Sequence, residues 1–476
     1  MKHRLFYVTL FLLTGLLTFS LMAQNQINFP KIGKLKTLSS NEIKSSMWSI
    51  GGEVQDRDYT DYQAYKSYLG PLGAKRIRLQ AGWAKCEKTK GVYDFTWLDT
   101  VINDVIAQGI SPWVECSYGN PIYEGGGQKV LAGGIPTSEE ALKAWDNWVN
   151  ALVTRYKDRV KEWEIWNEPD ISKKMTADEF AVFHVRTCTV IKKVQPDSRI
   201  VALGINRPDF THYVLAVVNA LKAENKLNYL DIIAYHGYYP IPEGVYPDVK
   251  RLRGVLDSCK AGIDLWQGEN GAPSTPKGQS VGALTSDDWS EITQAKWVLR
   301  RMMGDLSHDL DVCNIFTIAD YYYASGDHMV GYNSKGLLKA DSLKRILRPK
   351  PSYFAYQHVA TIFSEKIVRI KSAQITTNDS TLSVFAFNKE NLSGSAIIFH
   401  FPKNKPIDNF TAKMRSFSVT NIKMKNPVLI DLYSGKIHQL PKENYVLERN
   451  GVRFKNIPVV DYPIVIADKE WIKVTK

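Results

Sequence analysis

The chain has 476 residues, of which 44% are hydrophobic and 23% charged, a composition that excludes intrinsic disorder and indicates a folded protein with a sizeable core. The formal net charge is +12, but the lysines and arginines are dispersed, so the sequence predicts no nucleic-acid partner and the charge is interpreted mainly as a contribution to solubility. Five widely spaced cysteines, without a Cys-x-x-Cys pair, argue against a disulfide framework or a zinc site.

Residues 1–23 are predicted to be a secretory signal peptide. Lys2 and Arg4 precede an apolar run from Leu5 to Met22, and Ala23 offers a small residue for cleavage before a polar stretch. We expect cleavage to release a secreted or periplasmic protein, because no later apolar run approaches the roughly 20 residues that a membrane span requires. An uncleaved membrane anchor is the alternative, since the apolar run is long for a signal peptide.

Residues 45–363 are predicted to form a (β/α)8 TIM barrel, because eight short apolar strands alternate there with amphipathic helices. A doubly wound sheet is the alternative, but no Gly-x-Gly-x-x-Gly motif follows the first strand. Two helices are preceded by capping boxes, Thr137 to Glu140 and Thr176 to Glu179. The predicted strands cover residues 47–51, 76–80, 111–117, 162–167, 199–204, 230–236, 263–268 and 313–319.

Residues 364–476 are predicted to form a β-sandwich. The hydrophobic pattern changes there to a period of two, with turn-rich segments between the strands and no helical pattern. This segment has no paired carboxylates and histidine comparable to those of the barrel, so we expect it to stabilise the barrel rather than to catalyse. Residues 24–44 form an N-terminal segment that we expect to pack against it.

Polar side chains collect where the predicted barrel strands end, which is where TIM barrels carry their active sites. Two carboxylates stand out, since Glu168 ends the fourth strand and Glu269 ends the seventh. Along the fourth strand, EWEIWNEPD, alternation places Asn167 and Glu168 on opposite sides, and Glu162 and Glu164 are interpreted as bystanders. The strand-end candidates are Arg78, Glu115, Tyr118, Asn167, Glu168, Asn206, His236, Tyr238, Glu269 and Asp320.

The motifs Asn167-Glu168-Pro169 and Gly268-Glu269-Asn270 resemble those of glycoside hydrolase clan A, whose members are retaining (β/α)8 glycosidases. The resemblance covers about residues 45–362, and the stretch from Gly82 to Asp99 and the attached sandwich are similar to family 39 and its neighbours. It implies that Glu168 is the acid/base, that Glu269 is the nucleophile and that Asn167 binds the sugar 2-hydroxyl. The implied substrate is an oligosaccharide or polysaccharide, and we expect neither a cofactor nor a metal.

The chemistry of glycosidic-bond cleavage accounts for the two glutamates. A covalent intermediate requires one protonated and one ionised carboxyl group about 5 to 5.5 Å apart, a separation that opposite rims of a narrow barrel can provide. The charge of Glu269 would favour the protonated form of Glu168, and Arg78 would hold Glu269 ionised. Arg76 lies on the same face of its strand but deeper, so Arg78 is the favoured partner.

Other side chains complete the predicted site. His236 and Tyr238 are expected to orient the nucleophile or to bind the sugar, although His236 could instead be a buried core histidine. Trp83 and Trp166 are expected to stack on a sugar ring, with core packing as the alternative. Two further carboxylates are left outside the catalytic pair as structural partners of arginines, Glu115 and Asp320.

Several functions remain open at this point. A long loop after the third strand, residues 119–136, is expected to close one end of the barrel mouth and so favours exo-acting cleavage over endo-acting cleavage of a polysaccharide. A non-catalytic glycan-binding protein is a second alternative, although both glutamates are present. A metal-dependent sugar isomerase or aldolase is a third, with the ligands Glu115, His236, Glu269 and Asp320.

Overall fold

A computed structural model describes residues 27–131, 133–171, 175–259, 262–325 and 328–475. The predicted signal peptide and its cleavage site lie outside the described residues. Within the described part of the chain, no helix combines the length and the apolar character needed to cross a membrane.

The described chain begins with a short strand and then enters a closed barrel of eight parallel strands. The first barrel strand pairs with both the second and the last, which closes the ring. The short strand is β1 (Lys31–Leu35), and the barrel strands are β2 (Trp48–Gly51), β3 (Arg76–Gln80), β4 (Ser111–Cys116), β5 (Glu162–Ile165), β6 (Arg199–Ile205), β7 (Ile232–His236), β8 (Asp264–Asn270) and β9 (Val312–Ile315). The predicted TIM barrel is therefore confirmed.

Helices alternate with the barrel strands. The helix after β5 starts at a capping box, as predicted, because Thr176 and Glu179 each accept a hydrogen bond from the other's backbone N–H. The helix after β4 starts one residue later than the pattern predicts, since Ser138 rather than Thr137 caps it and accepts from the N–H of Ala141. The helices are α1 (Tyr62–Leu72), α2 (Trp83–Cys86), α3 (Thr96–Ala107), α4 (Glu139–Tyr156), α5 (Ala177–Val194), α6 (Thr211–Ala223), α7 (Tyr246–Cys259), α8 (Glu291–Ser307) and α9 (Pro351–Ile362).

Two antiparallel strand pairs lie between β9 and α9. They follow the carboxyl end of the last barrel strand, so their residues lie on the side of the barrel where TIM barrels bind their substrates. The pairs are β10 (Tyr321–Ser325) with β11 (His328–Asn333), and β12 (Leu338–Ala340) with β13 (Ile346–Pro349).

The residues after α9 form two antiparallel sheets, which confirms the predicted β-sandwich. β1 pairs with two strands of the larger sheet, so part of the N-terminal segment is built into this domain. The strands are β14 (Ile367–Arg369), β15 (Gln374–Thr377), β16 (Ser383–Lys389), β17 (Ser395–His400), β18 (Lys413–Thr420), β19 (Pro427–Asp431), β20 (Lys436–Gln439), β21 (Tyr445–Glu448), β22 (Gly451–Val459), β23 (Ile464–Asp468) and β24 (Val474–Thr475). The smaller sheet consists of β15, β18, β21 and β22.

Buried polar contacts join the sandwich to the barrel. The ammonium of Lys296, on α8, lies 2.9 Å from a carboxylate oxygen of Asp461, and both side chains are almost completely buried. Glu243, in the segment after β7, accepts a hydrogen bond from Arg300 of α8 at 2.9 Å and lies 2.8 Å from a ring nitrogen of His400 on β17. Since buried charges are costly unless paired, these contacts fix how the two domains meet.

Candidate active site

Arg78, on β3, is the centre of a buried ionic cluster at the mouth of the barrel. Its guanidinium is inaccessible to solvent and lies 2.8 Å from Glu269, the predicted nucleophile. Arg76 instead pairs with Glu162 at 3.1 Å, so the structure places Arg78 and not Arg76 against Glu269. The other partners of Arg78 are Glu53 at 3.3 Å and Glu115, Glu164 and Asn167 at 2.5, 2.8 and 2.8 Å.

The cluster contains more carboxylates than cations, and the pKa values of its members reflect this. Burial raises the pKa of Glu53 to about 8, although the charge of Arg78 opposes the shift. Burial also raises the pKa of Glu115, to about 7. The charge of Arg78 lowers this pKa by more than the repulsion from Glu164 raises it, but it does not cancel the effect of burial. One guanidinium cannot neutralise four carboxylates, so part of the cluster is protonated near neutral pH.

Two members of this cluster differ from the sequence interpretation. The interpretation of Glu164 as a bystander is wrong, because both of its oxygens accept hydrogen bonds from Arg78 at 2.8 Å. Glu53 is missing from the sequence candidates altogether. Its position directly after the Gly51-Gly52 pair at the end of the first strand was the available signal, since TIM barrels use residues that follow each strand.

The backbone after β5 turns two neighbouring side chains into the site. β5 ends at Ile165, and both Trp166 and Glu168 have positive φ angles, of 65° and 46°. Strand alternation therefore stops, and Asn167 and Glu168 reach the same site instead of pointing to opposite sides. The amide of Asn167 accepts from Arg78 at 2.8 Å and donates to the Tyr118 hydroxyl at 3.0 Å. One N–H of Asn167 is left over, which is the group that a sugar hydroxyl would need.

Glu168 and Glu269 meet at the mouth of the barrel. A carboxylate oxygen of each lies within 4.8 Å of the other and of a ring nitrogen of His236. The Tyr238 hydroxyl donates to one oxygen of Glu269 at 2.6 Å, and Arg78 occupies the other. Burial raises the pKa of Glu269, but the positive charges of His236 and Arg78 and the hydrogen bond from Tyr238 outweigh burial and hold it below its usual value.

His236 and Asn206 contact Glu168. The Nδ1 atom of His236 lies 2.7 Å from Oε1 of Glu168, and 3.8 Å from the nearest oxygen of Glu269. Asn206, after β6, donates its side-chain N–H to the same oxygen of Glu168 at 3.0 Å. Burial lowers the pKa of His236, but the charges of Glu269 and Glu168 outweigh it and raise that pKa. The structure thus places Tyr238 at Glu269 and His236 principally at Glu168.

The two tryptophans predicted to stack on sugar are core residues. Trp83 is fully buried and stacks with Tyr123 and Trp148, with ring centroids 5.5 and 6.1 Å apart. Trp166 is 1% exposed and meets the ring of Tyr118 edge-on at 5.7 Å. A ring with no accessible face cannot stack on a sugar, so the prediction of stacking is wrong for both residues.

Two partly exposed tyrosines, Tyr59 and Tyr323, pack against the buried Tyr321 and provide an aromatic surface next to the site. Tyr59, after β2, stacks on Tyr321 with the ring centroids 6.1 Å apart and the planes within 4° of parallel, and Tyr323 meets both rings edge-on. The guanidinium of Arg57 lies 5.5 Å from the Tyr59 centroid and 4.9 Å from that of Tyr118, and so links this surface to the site. Sequence reasoning missed these residues, although three consecutive tyrosines start at Tyr321, after the eighth strand.

Glu115 and Asp320 have buried structural partners, as expected, but only Glu115 binds an arginine. Asp320 instead accepts hydrogen bonds from the Lys350 ammonium and the Tyr332 hydroxyl, both at 2.6 Å. The expectation of an arginine at Asp320 is therefore wrong. The Lys350 ammonium nevertheless neutralises this buried carboxylate. Asp320 therefore helps to hold the loops after β9, as a carboxylate paired with an arginine would.

The four ligands of the sugar isomerase or aldolase alternative are not brought together. Across the residues that the structure describes, the carboxylates and imidazole close enough to share one metal ion are Glu168, His236 and Glu269. Neither Glu115 nor Asp320 joins this group, because Arg78 and Lys350 hold them.

Comparison with known proteins points to one group. Residues 79–261 match the family model for glycosyl hydrolases family 39. A segment of 122 residues is 25% identical to a β-xylosidase of Geobacillus stearothermophilus and covers 23% of this chain. The match covers 24% of the relative's own length, so this chain spans only about a quarter of that curated relative. The resemblance to family 39 is confirmed.

Solved structures share the fold over nearly the whole chain. A family 39 glycoside hydrolase from Bacteroides cellulosilyticus WH2 has a TM-score of 0.63 and 19% identity, covering 91% of this chain and 83% of its own. A monomeric β-xylosidase from Caulobacter crescentus CB15 has a TM-score of 0.59 and 17% identity, and the match covers 91% of this chain and 97% of the xylosidase. A family 30 endoxylanase from Clostridium papyrosolvens C71 has a TM-score of 0.57 and 13% identity, covering 92% and 98%. At these identities the similarity shows a common fold.

Proposed function

On the premise that this chain resembles family 39 of the glycoside hydrolases, we propose that it hydrolyses O-glycosidic bonds by double displacement, with retention of the anomeric configuration. The observation that carries the proposal is the carboxylate pair of Glu168 and Glu269, with oxygens within 4.8 Å of each other. Retaining enzymes place their carboxyl groups about 5 to 5.5 Å apart, whereas inverting enzymes need about 6.5 to 9.5 Å to admit a water molecule.

Glu269 is the nucleophile in this proposal. Its two oxygens accept hydrogen bonds from Tyr238 and Arg78, and its pKa lies below the usual value despite burial. It is therefore ionised at neutral pH and can attack the anomeric carbon to form a covalent glycosyl intermediate. As the carboxylate becomes an ester its negative charge disappears, and the charge of Arg78 is then balanced by the neighbouring carboxylates of the cluster.

Glu168 is the acid/base in this proposal. Its contact with Nδ1 of His236 gives it a partner with which a proton can be shared, because the charges of Glu269 and Glu168 outweigh burial and favour the charged imidazolium. A protonated Glu168 donates to the departing oxygen in the first step. The resulting carboxylate then removes a proton from water in the second step, when Asn206 and His236 stabilise its charge.

The relatives indicate the first substrate to test. The Geobacillus stearothermophilus and Caulobacter crescentus relatives are β-xylosidases, which makes an aryl β-xyloside the first substrate to test. The substrate would be an oligosaccharide or polysaccharide that the protein meets outside the cytoplasm, after export by the predicted signal peptide. Exo-action is favoured by the loop after β4, whose start is held beside α2, where Tyr123 and Asn120 donate to Glu87 at 2.6 and 2.8 Å.

The stereochemistry of the product tests the proposal. A panel of aryl xylosides, glucosides, galactosides, arabinosides and uronides in both anomeric forms identifies a substrate, and proton NMR then follows its hydrolysis. We expect the first-formed sugar to have the anomeric configuration of the substrate. An inverted first product would overturn both role assignments, and loss of activity on treatment with a chelator would favour a metal-dependent enzyme instead.

A further inference from the structure

Lys335 follows β11 and is almost completely buried, with 2% of its surface exposed. Its ammonium lies 5.8 Å from the ring centroid of Tyr238, the residue whose hydroxyl binds Glu269. On another side it faces Gly282, where an added Cβ would lie only 3.3 Å from the ammonium and 3.8 Å from the amide nitrogen of Asn333. The segments that follow β7, β8 and β9 therefore surround this cation at the barrel mouth.

No carboxylate, carbonyl or hydroxyl group of the described residues lies within hydrogen-bonding or ion-pairing distance of the Lys335 ammonium. The other two nearly buried lysines of the barrel and its loops differ in this respect, since Lys296 binds Asp461 at 2.9 Å and Lys350 binds Asp320 at 2.6 Å. A buried charge without a partner is costly, and the aromatic face of Tyr238 compensates only a small part of that cost.

The carboxylate of Glu269 does not pair with the Lys335 ammonium. The oxygens of Glu269 bind Tyr238 and Arg78, and neither oxygen lies within ion-pairing distance of the Lys335 ammonium. Burial lowers the pKa of Lys335 to about 8, against the attraction of Glu269, so the side chain carries a positive charge at neutral pH. The described residues thus present an ammonium beside the nucleophile, on a side chain that is 2% exposed, and supply no anion for it.

We propose that Lys335 binds an oxyanion on the glycan, a carboxylate or a sulfate ester, and so makes the candidate active site selective for acidic sugars. The inference rests on the proposed function for the identity of the site and deepens it by naming a substrate class. A hydroxyl group of a neutral sugar could accept a hydrogen bond from Lys335 but would leave its charge unpaired, whereas an oxyanion satisfies both. Charge-assisted bonds of this kind are about twice as strong as neutral ones.

Binding of matched sugars tests the proposal without requiring turnover. Calorimetry would compare D-glucuronate with D-glucose, D-galacturonate with D-galactose, and galactose 6-sulfate with galactose. We expect the wild-type protein to bind at least one acidic sugar about tenfold or more tightly than its neutral match, a difference of about 1.4 kcal/mol. The uronates and the sulfated sugar separate the two oxyanions. Equal affinities within every pair would overturn the proposal.

Substitutions at Lys335 identify the responsible cation. Lys335→Gln keeps a hydrogen-bonding group but removes the charge, so we expect the acidic preference to fall at least tenfold, and Lys335→Arg should restore it. Lys339→Met, which removes a positive charge on β12, is the matched control and should keep the wild-type preference. If Lys335→Gln lowers acidic and neutral affinities equally, the side chain binds a hydroxyl or is structural, and the proposal fails.

If Lys335→Gln does not fold, a measurement on the unsubstituted protein tests whether acidic sugars bind at Lys335. Reductive methylation with ¹³C-formaldehyde labels the lysines, and the Lys335 signal is the one missing from methylated Lys335→Arg. We expect the preferred acidic sugar to shift that signal, and its neutral match to leave it in place. Identical shifts with both sugars, or none with either, would contradict the proposal.

The inference and the proposed function can fail separately. If acidic sugars bind through Lys335 but no glycoside of the panel is hydrolysed, the hydrolase proposal fails and the anion site stands. If neutral glycosides are hydrolysed with retention and no acidic sugar is preferred, the anion site fails and the hydrolase proposal stands.

Discussion

Tyr238 and Arg78 each donate a hydrogen bond to one oxygen of Glu269, at 2.6 and 2.8 Å, while Glu168 lies 2.7 Å from His236. Two residues of the same type therefore have different neighbours, a guanidinium and a phenol for one and an imidazole for the other. Donors that favour the charged form suit a nucleophile, and a partner that can share a proton suits an acid/base. The residue-scale predictions test this division of roles.

Glu269→Ala should abolish turnover of every glycoside, because no covalent intermediate can form without the nucleophile. Added azide should then attack the substrate directly and yield a glycosyl azide of inverted configuration, which NMR identifies. Glu162→Ala is the matched control, since Glu162 lies in an ion pair with Arg76 outside the site. Full activity in Glu269→Ala would remove this residue from the mechanism.

Glu168→Ala should slow substrates with poor leaving groups by about 10²- to 10⁴-fold, the usual contribution of a general acid. Aryl substrates with activated leaving groups should be affected far less in their first step, because their departure needs no proton. Azide should restore turnover and give a product of retained configuration. Equal losses for a nitrophenyl glycoside and an alkyl glycoside would argue against an acid role.

Tyr238→Phe should move the acidic limb of the pH–kcat/KM profile to higher pH. The hydrogen bond from Tyr238 favours the ionised form of Glu269 and lowers its pKa, so its loss raises that pKa. On acidification, the variant should then lose its nucleophile at a higher pH than the wild-type protein. Tyr239→Phe is the control, because the Tyr239 hydroxyl binds Asp248 at 2.7 Å, and its acidic limb should stay in place.

At the scale of elements, the loop after β4 bears on how the substrate enters. Residues 119–136 contain Tyr123, which stacks on the buried Trp83 with the ring centroids 5.5 Å apart, so the start of the loop is anchored to the barrel. A loop held in this way can close one end of the mouth and favour release of single sugars from a chain end. The expected result on the preferred glycan is steady release of monosaccharide with slow loss of viscosity.

Rapid loss of viscosity with little monosaccharide released would show internal cleavage and contradict that expectation. A variant in which residues 128–134 are replaced by two glycines tests the cause, since the shorter loop should raise the share of internal cleavage. Its thermal unfolding should be compared with that of the intact protein to exclude a general loss of structure.

At the scale of the whole molecule, the sandwich covers apolar surface of the barrel. Phe363, directly after α9, is buried and packs against Phe387 and Trp471 of the sandwich with ring centroids 6.0 Å apart in each pair. Truncation after residue 363 would expose this surface, and we expect an insoluble or unstable barrel. Sedimentation and thermal unfolding measure the effect, and a soluble, fully active truncated protein would show that the sandwich is dispensable.

A single substitution tests how much one buried ion pair contributes to the same interface. Asp461→Ala leaves the buried ammonium of Lys296 with the Ile407 carbonyl but without an anionic partner, so we expect a loss of about 3 to 5 kcal/mol in the free energy of unfolding. Urea denaturation measures this loss in the full-length chain. A change below 1 kcal/mol would show that the ion pair contributes little to the joining of the domains.

The barrel and the position of Glu168 and Glu269 at its mouth could be predicted because their signals are local. Apolar runs of strand length, helices with capping residues, and glutamates at the ends of the fourth and seventh strands lie in short stretches of sequence. The selection of Arg78 over Arg76 followed from the same reasoning, since depth along a strand can be counted in residues. Arg78 is the one that meets Glu269.

The partners inside the cluster required the tertiary structure. Alternation along β5 predicts opposite sides for Asn167 and Glu168. The positive φ angles of Trp166 and Glu168 end the strand geometry instead, and no local sequence pattern predicts them. Trp83 was mistaken for a sugar-binding residue because its burial depends on Trp148 of α4, 65 positions further along the chain.

By itself, the sequence determined the order of the elements, the class of the fold and the two glutamates at the barrel mouth, because backbone periodicity and strand ends are properties of neighbouring residues. Only the tertiary structure decided which groups share Arg78, which tryptophans are buried and which buried lysine has no anionic partner among the described residues. Glu53, Glu164 and Lys335 acquire their significance from residues brought close by the closure of the barrel. Burial and charge pairing are set by that whole environment, and they determine the pKa values and binding properties of the site.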